Sequence, residues 1–169
     1  SQPVTPLLQG RKVAVARDRA FCFIYDANVD TLRALGAEVA CFSPLAGEPV
    51  PDCDALWLPG GYPELHAQAL GAQHAVRASL LAHVEAGRPV WAECGGMMAL
   101  FDELETREGE VNAMWGLLPG RVTMQKRLAA LGPQQLALPQ GTLRGHTFHY
   151  STAATSARVL TRTARPDAE

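Results

Sequence analysis

Cys94 stands in the run Ala92-Glu93-Cys94-Gly95-Gly96, directly after a short apolar stretch. A cysteine between a buried strand and two glycines has a physical logic. The chain must turn sharply there, so the backbone at the cysteine is strained and nothing bulky fits beside it. The sulfur then projects from the end of the sheet at a helix start, where free N–H groups and the helix dipole favour a thiolate. The bland alternative is a cysteine buried beside a turn. A second glycine pair, in Pro59-Gly60-Gly61-Tyr62-Pro63-Glu64, tips the balance toward a nucleophile. It lets the backbone approach a ligand, and with the Gly95 N–H it can form an oxyanion hole. A loop with no ligand is the ordinary explanation of a lone Gly-Gly, but this one follows the neighbouring strand.

A thiol nucleophile needs a base, and the chain has five histidines. His66, His74 and His83 fall on predicted helices or their edges and read as surface residues. His146 and His149 lie in Arg144-Gly145-His146-Thr147-Phe148-His149-Tyr150-Ser151. On an alternating strand they face opposite sides, so only one should reach Cys94, and the pattern does not say which. Glu93 is placed to help arrange the turn. Arg17 and Asp18 end the first strand, where an interdomain role and a surface ion pair are equally good readings.

The elements that must carry these residues follow from periodicity. Lys12–Ala16, Glu38–Phe42, Ala55–Leu58 and Pro89–Glu93 read as apolar strands. Asn28–Leu35, with Gly36 as its stop, and Ala75–Ala86, with Gly87 as its stop, read as helices. Gly95–Leu104 reads as a helix with Met98, Phe101 and Leu104 inward. Val111–Met124 and Thr142–Ser151 suggest further strands. Strands alternating with helices imply an α/β domain with a parallel sheet covered on both faces by right-handed crossovers. Ligands bind such sheets at the carboxyl ends of the strands, where both glycine loops fall.

Composition sets limits. Hydrophobic residues make up 47% and charged residues 19% of 169 residues, which suits one ordinary globular domain. The net charge of −2, without a basic stripe, argues against nucleic acid or an anionic membrane as partner. No apolar run is long enough to span a bilayer. The four cysteines, Cys22, Cys41, Cys53 and Cys94, show neither a C-x-x-C pair nor zinc spacing. No metal is therefore expected, and reduced thiols in a cytoplasmic protein are, with Cys22, Cys41 and Cys53 in or near the core. Residues 1–10 read as a linker or cut edge, 11–160 as the domain, and 161–169 as a frayed tail.

Several runs together resemble the glutamine amidotransferase domain of cobyrinic and hydrogenobyrinic acid a,c-diamide synthases. They are Ala14-Val15-Ala16-Arg17-Asp18 with Ala20-Phe21, Phe42-Ser43-Pro44-Leu45, Leu58-Pro59-Gly60-Gly61-Tyr62-Pro63-Glu64-Leu65, Ala92-Glu93-Cys94-Gly95-Gly96-Met97-Met98, and Gly145-His146-Thr147-Phe148-His149-Tyr150-Ser151. The resemblance implies a flavodoxin-like three-layer sandwich of the class I amidotransferase type. It implies Cys94 as nucleophile and His149 as base, with His146 at most in support. It places substrate-binding roles on Gly60, Gly61, Tyr62 and Gly95. L-glutamine is the implied substrate, and no cofactor is expected in this domain. ATP and magnesium belong to an N-terminal synthetase domain, the implied partner through which a corrin substrate is amidated. The chain itself has no G-x-x-x-x-G-K-[ST] phosphate loop.

Two departures stand out. Many class I amidotransferases carry a glutamate two residues after the catalytic histidine, where this chain has Ser151, and relatives often carry one where Thr147 stands. The site therefore reads as a Cys–His dyad with no group to fix the imidazole tautomer, and slow glutaminase activity in isolation is expected. A sister amidotransferase for nickel sirohydrochlorin or cobyric acid is a close alternative. A redox sensor using Cys94 on the same fold is a more distant one, and a non-catalytic docking domain is a third.

Overall fold

The computed structural model describes residues 4–166. Four strands form a parallel sheet in the order β2-β1-β3-β4: β1 (Lys12–Ala16), β2 (Glu38–Phe42), β3 (Ala55–Leu58) and β4 (Val90–Ala92). A second sheet, in the order β10-β7-β5-β6, is built from β5 (Phe101–Glu105), β6 (Val111–Ala113), β7 (Leu118–Met124) and β10 (Ser151–Ala154). A separate hairpin joins β8 (Ala130–Leu138) to β9 (Gly141–His149).

The parallel sheet sorts its side chains by the two-residue period of a strand. Ala14, Ala16, Leu56 and Leu58 face the main core. There they meet α2 (Ala67–Gly71), α3 (His74–Glu85) and the second sheet, through Leu70, Val76, Leu80, Phe101, Leu104 and Val122. Trp115 is fully buried at the centre, stacked on Phe21 at 5.9 Å, and its indole N–H donates to the Leu70 carbonyl at 3.0 Å. Val13 and Val15 face the other way and pack under α1 (Asp26–Ala34) with Ala37 and Leu32.

That second face is covered only in part. The register places Cys41, Val15, Trp57 and Trp91 in one row across the four strands. Trp91 is 53% exposed, and a groove of about 500 Å³ runs between Leu8, Leu32, Trp57 and Trp91. The expectation of a sheet covered on both faces thus holds for β1 and fails over β4.

Other expectations are corrected. The predicted helix at 95–104 is one turn, α4 (Gly95–Met98), and Phe101 and Leu104 face inward from β5 instead. Helical spacing and strand alternation look alike in so short an apolar run. Cys22 and Cys41 are exposed, and only Cys53 is a core thiol. His83 is buried: its Nε2 is 3.0 Å from the Pro89 carbonyl and its Nδ1 lies 3.7 Å from the Cys53 sulfur. Within 1–10, the Leu8 N–H donates to Leu35 at 2.8 Å and its side chain packs under α1. Within 161–169, Ala164 exchanges hydrogen bonds with Gln135 at 2.8 and 2.9 Å, and residues 167–169 lie outside the described residues. Gly36 and Gly87 do close α1 and α3, at φ of 95° and 73°. No helix among the described residues is long and apolar enough to cross a membrane.

Candidate active site

β4 delivers Cys94 to the carboxyl end of the parallel sheet. Cys94 has φ 49° and ψ −119°, and among the described residues it is the one non-glycine at positive φ. Such a conformation costs about 1–3 kcal/mol and persists only where its surroundings enforce it. Here the surroundings are backbone. A Cβ on Gly96 would lie 2.1 Å from the Leu58 carbonyl oxygen, and one on Gly95 would lie 2.8 Å from the Pro63 ring and 3.0 Å from the Gly61 nitrogen. The two glycines are what allow the turn to nest against the end of β3.

The loop after β3 closes over the cysteine. A Cβ on Gly60 would lie 3.3 Å from the Cys94 Cβ, and one on Gly61 would lie 2.1 Å from the Ala20 carbonyl oxygen. The Gly60 carbonyl accepts from Phe23 at 3.0 Å, and the Tyr62 N–H donates to Ala20 at 3.0 Å. Among the described residues the Gly61 N–H has no acceptor, so it is free to donate beside Cys94. The Tyr62 ring is half exposed and meets Phe23 edge-on at 5.0 Å.

Asp18 fastens the loop after β1, whose Ala20 carbonyl holds Tyr62. One carboxylate oxygen accepts from the N–H groups of Ala20 and Phe21 at 2.8 and 3.1 Å. The other accepts from the Ser43 hydroxyl at 3.0 Å and the Leu45 N–H at 2.9 Å. Asp18 forms no ion pair among the described residues; it is a buckle between the loops after β1 and β2. Arg17 forms an exposed ion pair with Asp26 at 3.6 Å. Glu93 accepts from the Trp57 indole N–H at 3.0 Å and ties the nucleophile turn to β3.

Electrostatics at Cys94 run against the expected thiolate. Cys94 keeps an open edge, yet burial of its sulfur is the largest influence and raises its pKa. The Gly95 N–H lowers it, and the charges of Glu64 and Glu93 raise it. A helix of one turn has little macrodipole to oppose the burial. Glu64 is itself raised, first by burial, against the lowering effects of its own N–H, Arg107 and His66.

His149 ends β9, half-buried, while His146 is exposed, so the two face apart as the alternation requires. The His149 Nδ1 lies 2.9 Å from the Ser151 carbonyl oxygen. A carbonyl can only accept, so Nδ1 carries the proton and Nε2 keeps its lone pair. A main-chain carbonyl therefore orients the ring at the position where a glutamate side chain was missed, and the tautomer is fixed after all. Sequence reasoning could not find this, because every residue has a carbonyl. Among the described residues no hydrogen bond joins His149 to Cys94.

Known proteins bear on this arrangement. The CobB/CobQ-like glutamine amidotransferase domain family matches residues 12–167. Hydrogenobyrinate a,c-diamide synthase of Pseudomonas aeruginosa is 50% identical over 98% of this chain and 38% of its own length. The protein of the same name from Stutzerimonas stutzeri is 51% identical over 94% of this chain and 37% of its length. Cobyrinate a,c-diamide synthase of Herminiimonas arsenicoxydans is 47% identical over 94% and 36%. The chain thus spans little more than a third of the length of these relatives. A crystal structure of a glutamine amidotransferase superposes with a TM-score of 0.58 over 90% of this chain and 84% of its own, at 19% identity, which speaks for a shared fold. With the match to nearly all of its length and the strained Cys94 turn in place, the chain belongs to the CobB/CobQ-like glutamine amidotransferase domain family.

Proposed function

We propose that this chain is the glutaminase part of a cobyrinate or hydrogenobyrinate a,c-diamide synthase. The observation that carries the reading is the Cys94 turn, strained and walled by Gly60, Gly61 and Gly95. The Cys94 thiolate attacks the side-chain amide carbon of L-glutamine. The Gly61 and Gly95 N–H groups, with Gly60 beside them, stabilise the oxyanion. His149 takes the thiol proton on Nε2 and hands it to the departing ammonia. It then takes a proton from water, which cleaves the γ-glutamyl thioester to glutamate and restores the thiol.

Ammonia passes to a cytoplasmic N-terminal synthetase domain. That domain, not this chain, would hold ATP and magnesium, which would supply activation of the a- and c-acetate carboxylates of the corrin for amidation. The names and greater lengths of the relatives support that partner and acceptor. The Cys94→Ser variant should lose glutamine hydrolysis by more than about a thousandfold, as loss of a nucleophile does. Retained hydrolysis in that variant would overturn the reading. For the base, His149→Ala should lose activity and His146→Ala keep it, and the opposite pattern would move the role to His146.

A further inference from the structure

A cavity of about 420 Å³ opens between the turn after β5 and the segment after β7, within the usual range of small-molecule sites, about 300–1,000 Å³. In a chain of net charge −2, its walls carry three cations, Arg107, Lys126 and Arg127, and one carboxylate, Glu105. Glu105 is already held by Arg121 at 3.5 Å. Among the described residues, Arg107, Lys126 and Arg127 enter no ion pair, whereas Arg11, Arg17, Arg33, Arg88 and Arg121 all do. Glu108 and Glu110, on the same turn as Arg107, are exposed and do not line the cavity. Both walls are fixed. The Thr106 N–H closes the turn by donating to the Glu110 carbonyl at 2.8 Å. The Gln125 N–H donates to the Tyr150 carbonyl at 2.6 Å, and its side-chain amide donates to the Thr152 hydroxyl at 3.1 Å. Tyr150 packs against the main core and carries the Arg107 guanidinium over its ring at 4.9 Å.

Cations gathered around one hollow repel one another, and a hollow of one sign concentrates counter-ions. A guanidinium lying on a ring face keeps its planar fork free for two oxygens at once. All three cations are exposed, so a singly charged anion gains little from any one of them, while a multivalent one engages them together. We propose that this cavity is a binding site for a small multivalent anion, one with at least two phosphate or carboxylate groups. Arg107 takes one group through its fork, and Lys126 and Arg127 take the other. The phosphate chain of a nucleotide and the peripheral carboxylates of a corrin offer this same chemistry. None of the residues used belongs to the proposed reaction at Cys94, so the inference stands or falls separately from the glutaminase reading.

The test is titration calorimetry of the whole chain at low salt with three probes. They are pyrophosphate, tricarballylate, which carries three carboxylates, and acetate. Pyrophosphate, tricarballylate or both should bind at one site per chain, and acetate should not. The probe bound more tightly, phosphate or carboxylate, separates the two sources of the ligand. Arg107→Met should weaken binding by about 10- to 100-fold, the worth of a hydrogen bond to a charged group. The double variant Lys126→Gln, Arg127→Gln should weaken it to a similar degree. Arg158 is exposed and does not line the cavity, so Arg158→Gln should leave binding unchanged. No binding of either multivalent probe, or undiminished binding in Arg107→Met or in the double variant, would overturn the proposal. An equal loss in Arg158→Gln would show attraction to positive charge at large and overturn it too.

Discussion

At the scale of single residues, the chemistry turns on how hard it is to ionise Cys94. Burial and two acidic neighbours raise its pKa. Reactivity needs the thiolate, so the rate of iodoacetamide labelling should climb with pH and level off above the ordinary thiol value of about 8.5. Glu64→Gln removes one raising charge and should move the midpoint down. An unchanged or higher midpoint, read from the rate profile, would contradict the assigned cause. The sequence made Cys94 legible because strand, turn and glycines agree around it. It could not show the sign of the pKa shift, which depends on how the fold buries the sulfur and on Glu64, carried by a 3₁₀ turn at Pro63–Leu65 whose proline ring meets Gly95.

At the scale of elements, two loops and a buckle hold the site. Gly61→Ala would drive a Cβ to 2.1 Å from a main-chain oxygen, with no flexible side chain to yield. It should destabilise the protein by about 1–3 kcal/mol and depress glutamine hydrolysis at least as much as it depresses stability. Gly145→Ala, in the histidine motif, meets nothing within 4 Å and has no positive φ, so both properties should stay near native. Thermal unfolding and hydrolysis assays on the pair check this. Asp18→Ala strands the N–H groups of Ala20, Phe21 and Leu45 and the Ser43 hydroxyl, and should cost about 1–3 kcal/mol in denaturant unfolding. The parallel strands were legible because their apolar runs are bounded by Pro and Gly. The stretch at 95–104 was not, because Met98, Phe101 and Leu104 fit a helix stripe as well as a turn followed by a strand. His83 likewise read as a surface residue, and its burial follows from contacts with Cys53 and Pro89 that lie far along the chain.

At the scale of the whole molecule, the two proposed reacting groups sit on bodies of unequal rigidity. Cys94 rides on a sheet packed against the main core, while His149 ends a hairpin that joins neither of the other two sheets and gains only a bridge from Gln135 to Ala164. An isolated two-stranded hairpin is marginally stable, so its amides should exchange with solvent faster than those of β1 and β3. Equal protection of the two sets would refute this difference. With no hydrogen bond between His149 and Cys94 and a thiol hard to ionise, glutamine hydrolysis by this chain should be slow, though no longer for want of a fixed tautomer. The Ser151 carbonyl supplies that.

The central claim is that Cys94 attacks glutamine as a nucleophile, and peptide mass spectrometry after exposure to 6-diazo-5-oxo-L-norleucine tests it most directly. The account predicts one covalent adduct, mapped to Cys94 and suppressed by excess L-glutamine, with the exposed Cys22 and Cys41 unlabelled. An unlabelled Cys94, or labelling spread over the exposed thiols and indifferent to glutamine, would contradict it.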